Sequence, residues 1–133
     1  MKLIVCLDNH NGMQFHHRRQ SSDVAVCKKM LELAEDSNLY MNSYSGYLFA
    51  DFAANIQITE NYLEQAGSDD FRFVECDDVL EYFHKVSKVY VFCWNRDYPA
   101  DVHFPAPLVN GQVIEEFAGN SHQRITLEVY SYE

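Results

Sequence analysis

The chain has few of the residues on which tight turns and phosphate-binding loops depend. Its 133 residues include five glycines, no two of them adjacent, and three prolines. No apolar run approaches the roughly 20 residues that cross a bilayer, and the apolar start at Leu3–Leu7 meets Asp8 too early for a signal peptide. We therefore expect a protein that has no membrane partner and lies in the cytoplasm.

Paired cysteines and positive charge are also scarce. The four cysteines, Cys6, Cys27, Cys76 and Cys93, lie far apart and form no C-x-x-C, which indicates buried free thiols rather than a zinc ribbon or a redox pair. Lysine and arginine number 10 against 20 acidic residues, for a net charge of −10. Because such a chain repels phosphates, nucleic acid is not an expected partner.

The apolar pattern is that of strands alternating with helices. Continuous apolar segments at 2–8, 71–74 and 88–94 are typical of strands buried on both faces of a parallel sheet. Ser21 or Ser22 can cap a helix whose apolar stripe runs to about residue 36. The remaining expected elements are strands at 39–41, 55–59, 112–117 and 123–132 and short helices at 44–54, 60–66 and 77–83, the last capped by Asp77. We predict one three-layer α/β/α domain over 1–133, with a mainly parallel mixed sheet and an antiparallel C-terminal hairpin.

The two ends of the chain carry motifs that occur together in one enzyme family. Near the start, Gly12-Met13 is followed by Asp23 at the head of a helix, and near the end Asp101-Val-His-Phe-Pro105 leads to Asn120-Ser-His122. This ordered set resembles the dihydrofolate reductases, in which a D-x-x-F-P turn leads to a final strand containing N-S-H. The resemblance implies a dihydrofolate-reductase-like fold with a ligand cleft. In that cleft the carboxylate of Asp23, the best catalytic candidate, would accept hydrogen bonds from the donor groups along one edge of a bound ring.

Three departures from that family concern its nicotinamide cofactor. His17-Arg18 stands where the family has Pro-Trp, and Asn42-Ser-Tyr-Ser45 stands in place of its Gly-Arg-x-Thr/Ser. Only Lys85–Ser87 separates the predicted helix from the strand at 88–94, so the strand, Gly-Gly turn and helix that receive the pyrophosphate are expected to be deleted. We therefore expect a shortened relative that uses no NADPH.

The residues around this cleft predict a small polar or anionic ligand. Asp23 would accept hydrogen bonds from the ligand, and Arg18 and Arg19 would hold its negative charge. Met13 with Phe15 would cover the ligand, and His17 is a further candidate contact. Two simpler roles stay open. Asp23 would compensate a helix dipole, and the two arginines would pair with the acidic stretch from Glu60 to Glu81, within the molecule or across a dimer.

Three other functions are compatible with the sequence. One is an active NADPH-dependent reductase of pterins or related heterocycles, and another is a dimeric interaction module that buries the aromatic 44–52 segment. The third is a metal-dependent hydrolase or nuclease, but the six histidines show no metal-binding spacing and no metal is predicted. No G-x-S-x-G occurs, so nothing in the sequence predicts a serine nucleophile.

Overall fold

The computed structural model describes residues 1–52 and 55–132, and within them the strands form two sheets. The strands are β1 (Lys2–Leu7), β2 (Gly12–Phe15), β3 (Arg18–Arg19), β4 (Leu39–Met41), β5 (Ile56–Ile58), β6 (Phe71–Phe73), β7 (Lys88–Cys93), β8 (Val102–His103), β9 (Gln112–Phe117) and β10 (Ile125–Ser131). Seven of them make one sheet in the order β5-β4-β6-β1-β7-β10-β9. Neighbours are parallel from β5 to β7, whereas β10 is antiparallel to both β7 and β9. The predicted mixed α/β fold with an antiparallel C-terminal hairpin is confirmed.

The helices are short apart from the first. They are α1 (Val24–Leu33), α2 (Ser43–Gly46), α3 (Tyr62–Gln65) and the 3-10 helices Tyr47–Phe49 and Leu80–Lys85. Among the described residues, no helix has the length and apolar character needed to cross a membrane.

Apolar side chains cover both faces of the large sheet, which explains why β1 is apolar without a break. Ile4 faces α1 and packs with Val26, Cys27 and Met30. Its neighbours Leu3 and Val5 face the other way and pack in a second cluster with Tyr62, Val79 and the 83–86 region. Because successive side chains of a strand point to opposite faces, a strand between two helical layers needs apolar residues at every position.

The polar segment at 9–21, where no strand was predicted, contains a hairpin. Strands β2 and β3 pair around His16 and His17, and β8 joins β2 to make a sheet in the order β3-β2-β8. The two turn residues have φ values of 52° and 62°, the left-handed conformation that a two-residue turn of this kind requires and that Asn-Gly usually supplies. The sequence carries no such turn signal here, so the hairpin was missed.

Helix boundaries need three corrections. Asp23, and not Ser21 or Ser22, is the N-cap of α1, because its carboxylate accepts a hydrogen bond from the Ala25 N–H. Asp77 does not cap the 3-10 helix Leu80–Lys85. The Leu80 N–H instead donates a hydrogen bond to the Asp78 carboxylate. The helix predicted at 44–54 is α2 followed by a 3-10 turn to Phe49. Its last two residues, and residue 133 of the predicted domain, lie outside the described residues.

The short connection predicted between the helix and β7 is found, since the 3-10 helix ends at Lys85 and β7 begins at Lys88. Strand β6 lies between β4 and β1, and the segment 74–79 and the 3-10 helix Leu80–Lys85 connect it to β7. The strand, turn and short helix that precede β7 are thus the ones predicted at 71–74 and 77–83. The turn has no glycine and contains Glu75, Asp77 and Asp78.

Candidate functional site

A narrow cleft lies between α1 and the sheet, at the carboxyl ends of β1, β6 and β7. Its cavity volume is about 10 Å³, room for about one water molecule and far below the roughly 300–1,000 Å³ of sites for drug-sized ligands. The walls are mainly apolar, and serine and carboxylate groups lie at one end. The lining residues are Cys6, Ser21, Ser22, Asp23, Val26, Cys27, Met30, Leu48, Phe73, Glu75 and Trp94.

Asp23 lies at this cleft, but its carboxylate is already fully engaged. Oδ1 accepts hydrogen bonds from the backbone N–H groups of Ala25 and Asn120, each at 2.9 Å. Oδ2 accepts from the Ser121 N–H at 2.9 Å and from His122 Nδ1 at 2.9 Å. Burial by itself raises the pKa of this carboxyl, but the bonds from Asn120, His122 and Ser121 outweigh it and hold the pKa well below the usual range. Asp23 is therefore ionised and joins α1 to the turn at 119–122.

His122 is the group that Asp23 orients. Since an ionised carboxylate faces Nδ1, that nitrogen carries a hydrogen, and Nε2 is an acceptor whenever the ring is neutral. Nε2 lies 2.8 Å from Ser21 Oγ and 3.2 Å from the Tyr98 hydroxyl. The imidazole stacks on Trp94, with ring centroids 4.5 Å apart and planes 24° apart. The ring is thus fixed in tautomer and in orientation.

Ser21, His122 and Asp23 together form a serine–histidine–aspartate chain beside the cleft. The three residues come from the loop before α1 and from the turn before β10, about a hundred positions apart. Such a triad is recognised by geometry and not by order in the sequence, which is why the absence of G-x-S-x-G did not exclude it. The only sequence signal was the N-S-H motif, which marks His122 without its partners.

Gly119 permits the close approach of this turn to α1. A methyl group on its Cα would overlap the Asp23 carboxylate and contact Ile125. The glycine is needed here for space, because the backbone of the turn lies directly on the Asp23 side chain.

Arg19 is held by a second carboxylate at the cleft. Its guanidinium donates to both oxygens of Glu75, at 2.8 and 2.9 Å, and lies 4.3 Å from the centre of the Tyr44 ring. Glu75 also accepts from Ser45 Oγ at 2.8 Å. The simpler of the two roles considered for Arg19, pairing with the acidic 60–81 stretch inside the molecule, is the one found here.

The remaining predicted ligand contacts lie away from this cleft. Phe15, His17 and Arg18 are exposed on the β2–β3 hairpin. Met13 is buried in the cluster on the opposite face of the sheet and lines a separate shallow depression with Asp77 and Asp101. Of the six predicted ligand residues, the structure brings only Asp23 into the cleft, with Arg19 one contact away through Glu75.

The described residues contain no group of three or more histidine, cysteine or acidic side chains that could hold a metal ion. Asp8, the carboxylate that follows β1, accepts from the N–H groups of His10 and Gly12 and from Gln20 Nε2. Burial raises its pKa, but these hydrogen bonds bring the pKa below the usual value. Asp8 therefore stabilises the turn after β1.

Comparison with protein-family models and with curated proteins finds no match for this chain.

Proposed function

We propose that this chain is a small-molecule-binding domain whose ligand lies at the cleft beside α1, which widens to admit it. The observation that carries the proposal is the position of the cleft. It opens at the carboxyl ends of β1 and β7, where the chain leaves one strand toward β4 and the other toward β9. Ligands of open α/β sheets bind in the crevice at such a switch point.

The charges at the cleft favour a neutral ligand over an anion. Its lining includes the carboxylates of Asp23 and Glu75 and no lysine or arginine, and Arg19 is already neutralised by Glu75. An anion would meet two negative groups at short range in a partly buried site. We therefore refine the predicted polar or anionic ligand to a compact neutral molecule with an apolar body and a polar end.

We further propose that the domain is a relative of the dihydrofolate reductases that uses no NADPH. The sequence motifs at both ends support the relationship. The turn after β6 supports the loss of the cofactor, because Glu75, Asp77 and Asp78 would repel a pyrophosphate. The four free thiols support a reducing compartment, the cytoplasm.

The sole tryptophan offers a direct assay, since Trp94 lines the cleft. Titration with pterin, adenine, guanine and their nucleosides, followed by tryptophan emission, tests neutral heterocycles; NADPH and dihydrofolate test the charged ones. We expect saturable quenching by a neutral probe and none by NADPH. Quenching by NADPH, followed by cofactor-dependent turnover, would instead establish the reductase alternative.

A matched pair of variants locates the bound probe. Ser22 is exposed at the cleft, so Ser22→Phe should block entry without disturbing the core. Ser68 is an equally exposed serine in a depression near Arg72, and Ser68→Phe is the control. Binding that survives Ser22→Phe and is lost in Ser68→Phe would refute the proposed site.

A dimeric interaction module is the second candidate, and the exposed edge strand β9 favours it. Val113 and Ile114 are 60% and 53% exposed on this strand, and an unpaired apolar edge is a template for pairing with another chain. The aromatic 44–52 segment considered from the sequence is a weaker surface, because Phe49 is buried in the core. Light scattering on the wild type and Ile114→Lys tests this candidate, and a wild-type monomer would refute it.

A further inference from the structure

We propose that Ser21 is a nucleophile, that His122 is its general base, and that the domain hydrolyses a small neutral carboxylic ester. The inference rests on the proposed function, since the ester would occupy the same cleft. The observation behind it is the chain from Ser21 Oγ to His122 Nε2, 2.8 Å, and from His122 Nδ1 to Asp23 Oδ2, 2.9 Å.

The ring of His122 has the tautomer that a general base needs. Asp23 accepts the Nδ1 hydrogen, so the Nε2 lone pair faces the Ser21 and Tyr98 hydroxyls. The shorter distance favours Ser21 as the hydrogen donor. Asp23 acts here as a positioning residue, because it holds the ring and stabilises its protonated form without contacting the ligand.

A purely structural role explains only part of this arrangement. Asp23 and Ser121 are sufficient to join α1 to the 119–122 turn, through backbone N–H groups. The contact between Nε2 and a partly buried serine that lines a cleft is not needed for that purpose. A hydroxyl that is hydrogen-bonded to a general base, at the edge of an apolar cavity, is instead the arrangement of an activated nucleophile.

The amino end of α1 opposes part of the negative charge that Asp23 and Glu75 place near Ser21. The serine lies two residues before the N-cap of α1, a ten-residue helix whose amino end carries partial positive charge. Fixed dipoles of this kind stabilise the oxyanion of a tetrahedral intermediate.

The reaction balances with water as the co-reactant. Ser21 Oγ attacks the ester carbonyl carbon while its proton moves to His122 Nε2, and the carbonyl π electrons move to the oxygen. Collapse of this intermediate breaks the bond to the alcohol oxygen, which takes the proton from Nε2 and leaves an acyl-serine. Water then attacks the acyl carbon, gives a proton to Nε2, and Ser21 Oγ leaves with that proton to release the carboxylic acid.

The test uses the full chain and a small serine-directed probe, diisopropyl fluorophosphate, with intact mass and peptide mapping. We expect one adduct, on Ser21, and none at that position in Ser21→Ala. In His122→Gln the labelling rate should fall by on the order of 10²-fold or more. Ser68→Ala is the matched control and should label like the wild type. The rate of p-nitrophenyl acetate hydrolysis should likewise be highest in the wild type and Ser68→Ala, lower in His122→Gln and lowest in Ser21→Ala.

A second variant keeps the inference testable if His122→Gln does not fold. In Ser21→Cys, the new thiol should react with iodoacetamide faster than the exposed Cys76, because His122 accepts its proton. A slower reaction than that of Cys76 would overturn the inference. So would a wild type that binds a neutral probe at Trp94 but gives no adduct on Ser21, an outcome that leaves the binding proposal intact. A wild type that neither binds a probe at Trp94 nor forms an adduct on Ser21 would overturn both the binding proposal and the hydrolase inference.

Discussion

Asp23→Asn should destabilise the protein strongly, although the two side chains have the same shape. The carboxylate accepts from three backbone N–H groups and from His122. The amide would keep one accepting oxygen and turn an NH2 group toward the Ser121 N–H, leaving that buried donor unpaired. An unpaired buried donor costs about 1–3 kcal/mol, and a lost charge-assisted bond adds to it, so we expect about 2–4 kcal/mol in all.

The loss is measurable by urea unfolding, followed through the emission of Trp94. A destabilisation of this size should lower the thermal midpoint by roughly 10 °C in a domain of this length. Asp36→Asn is the matched control, since Asp36 is exposed just after α1, and it should leave the free energy of unfolding unchanged.

The pH dependence gives an independent test of the same carboxylate. Its pKa in the folded protein lies below the ordinary value of about 4, so it stabilises the fold above that pH. This contribution is lost as pH falls below about 4 toward the folded pKa, and the difference between wild type and Asp23→Asn should shrink there. A difference under 1 kcal/mol at neutral pH, or one that grows in acid, would refute the assignment.

Three further variants or reagents test other parts of the structure. Gly119→Ala should lower stability by about 1–3 kcal/mol, measured by urea unfolding, because its methyl group overlaps Asp23; an unchanged midpoint would contradict this. His17→Gly should raise stability by about 1 kcal/mol, since φ is 62° at that residue, and a thermal midpoint at or below the wild-type value would count against it. Burial raises the pKa of Cys27 to about 11, so Ellman's reagent should modify the exposed Cys76 first; the opposite order would show that the α1 cleft is open.

The architecture could be predicted from local patterns, because the apolar runs of strands and the apolar stripe of a helix are each visible within a few consecutive residues. Unbroken apolar segments predicted β1 and β7 as central strands, and an apolar stripe predicted α1. The β2–β3 hairpin escaped prediction, since His16 and His17 adopt a left-handed turn conformation that Asn-Gly, and not His-His, usually marks in a sequence. Its formation depends on pairing with β8, about 90 residues away in the chain.

By itself, the sequence determined the fold class, the two-sided burial of the sheet and the place of Asp23 at the head of a helix, because each depends on neighbours in the chain. The tertiary structure alone decided what Asp23 does. Folding brings His122 and Ser121 into hydrogen bonds with its carboxylate and places Ser21 on the far side of the imidazole. It also pairs Arg19 with Glu75 in an ion pair. Contacts between residues a hundred positions apart depend on the packing of α1 against the final hairpin, which no local pattern records.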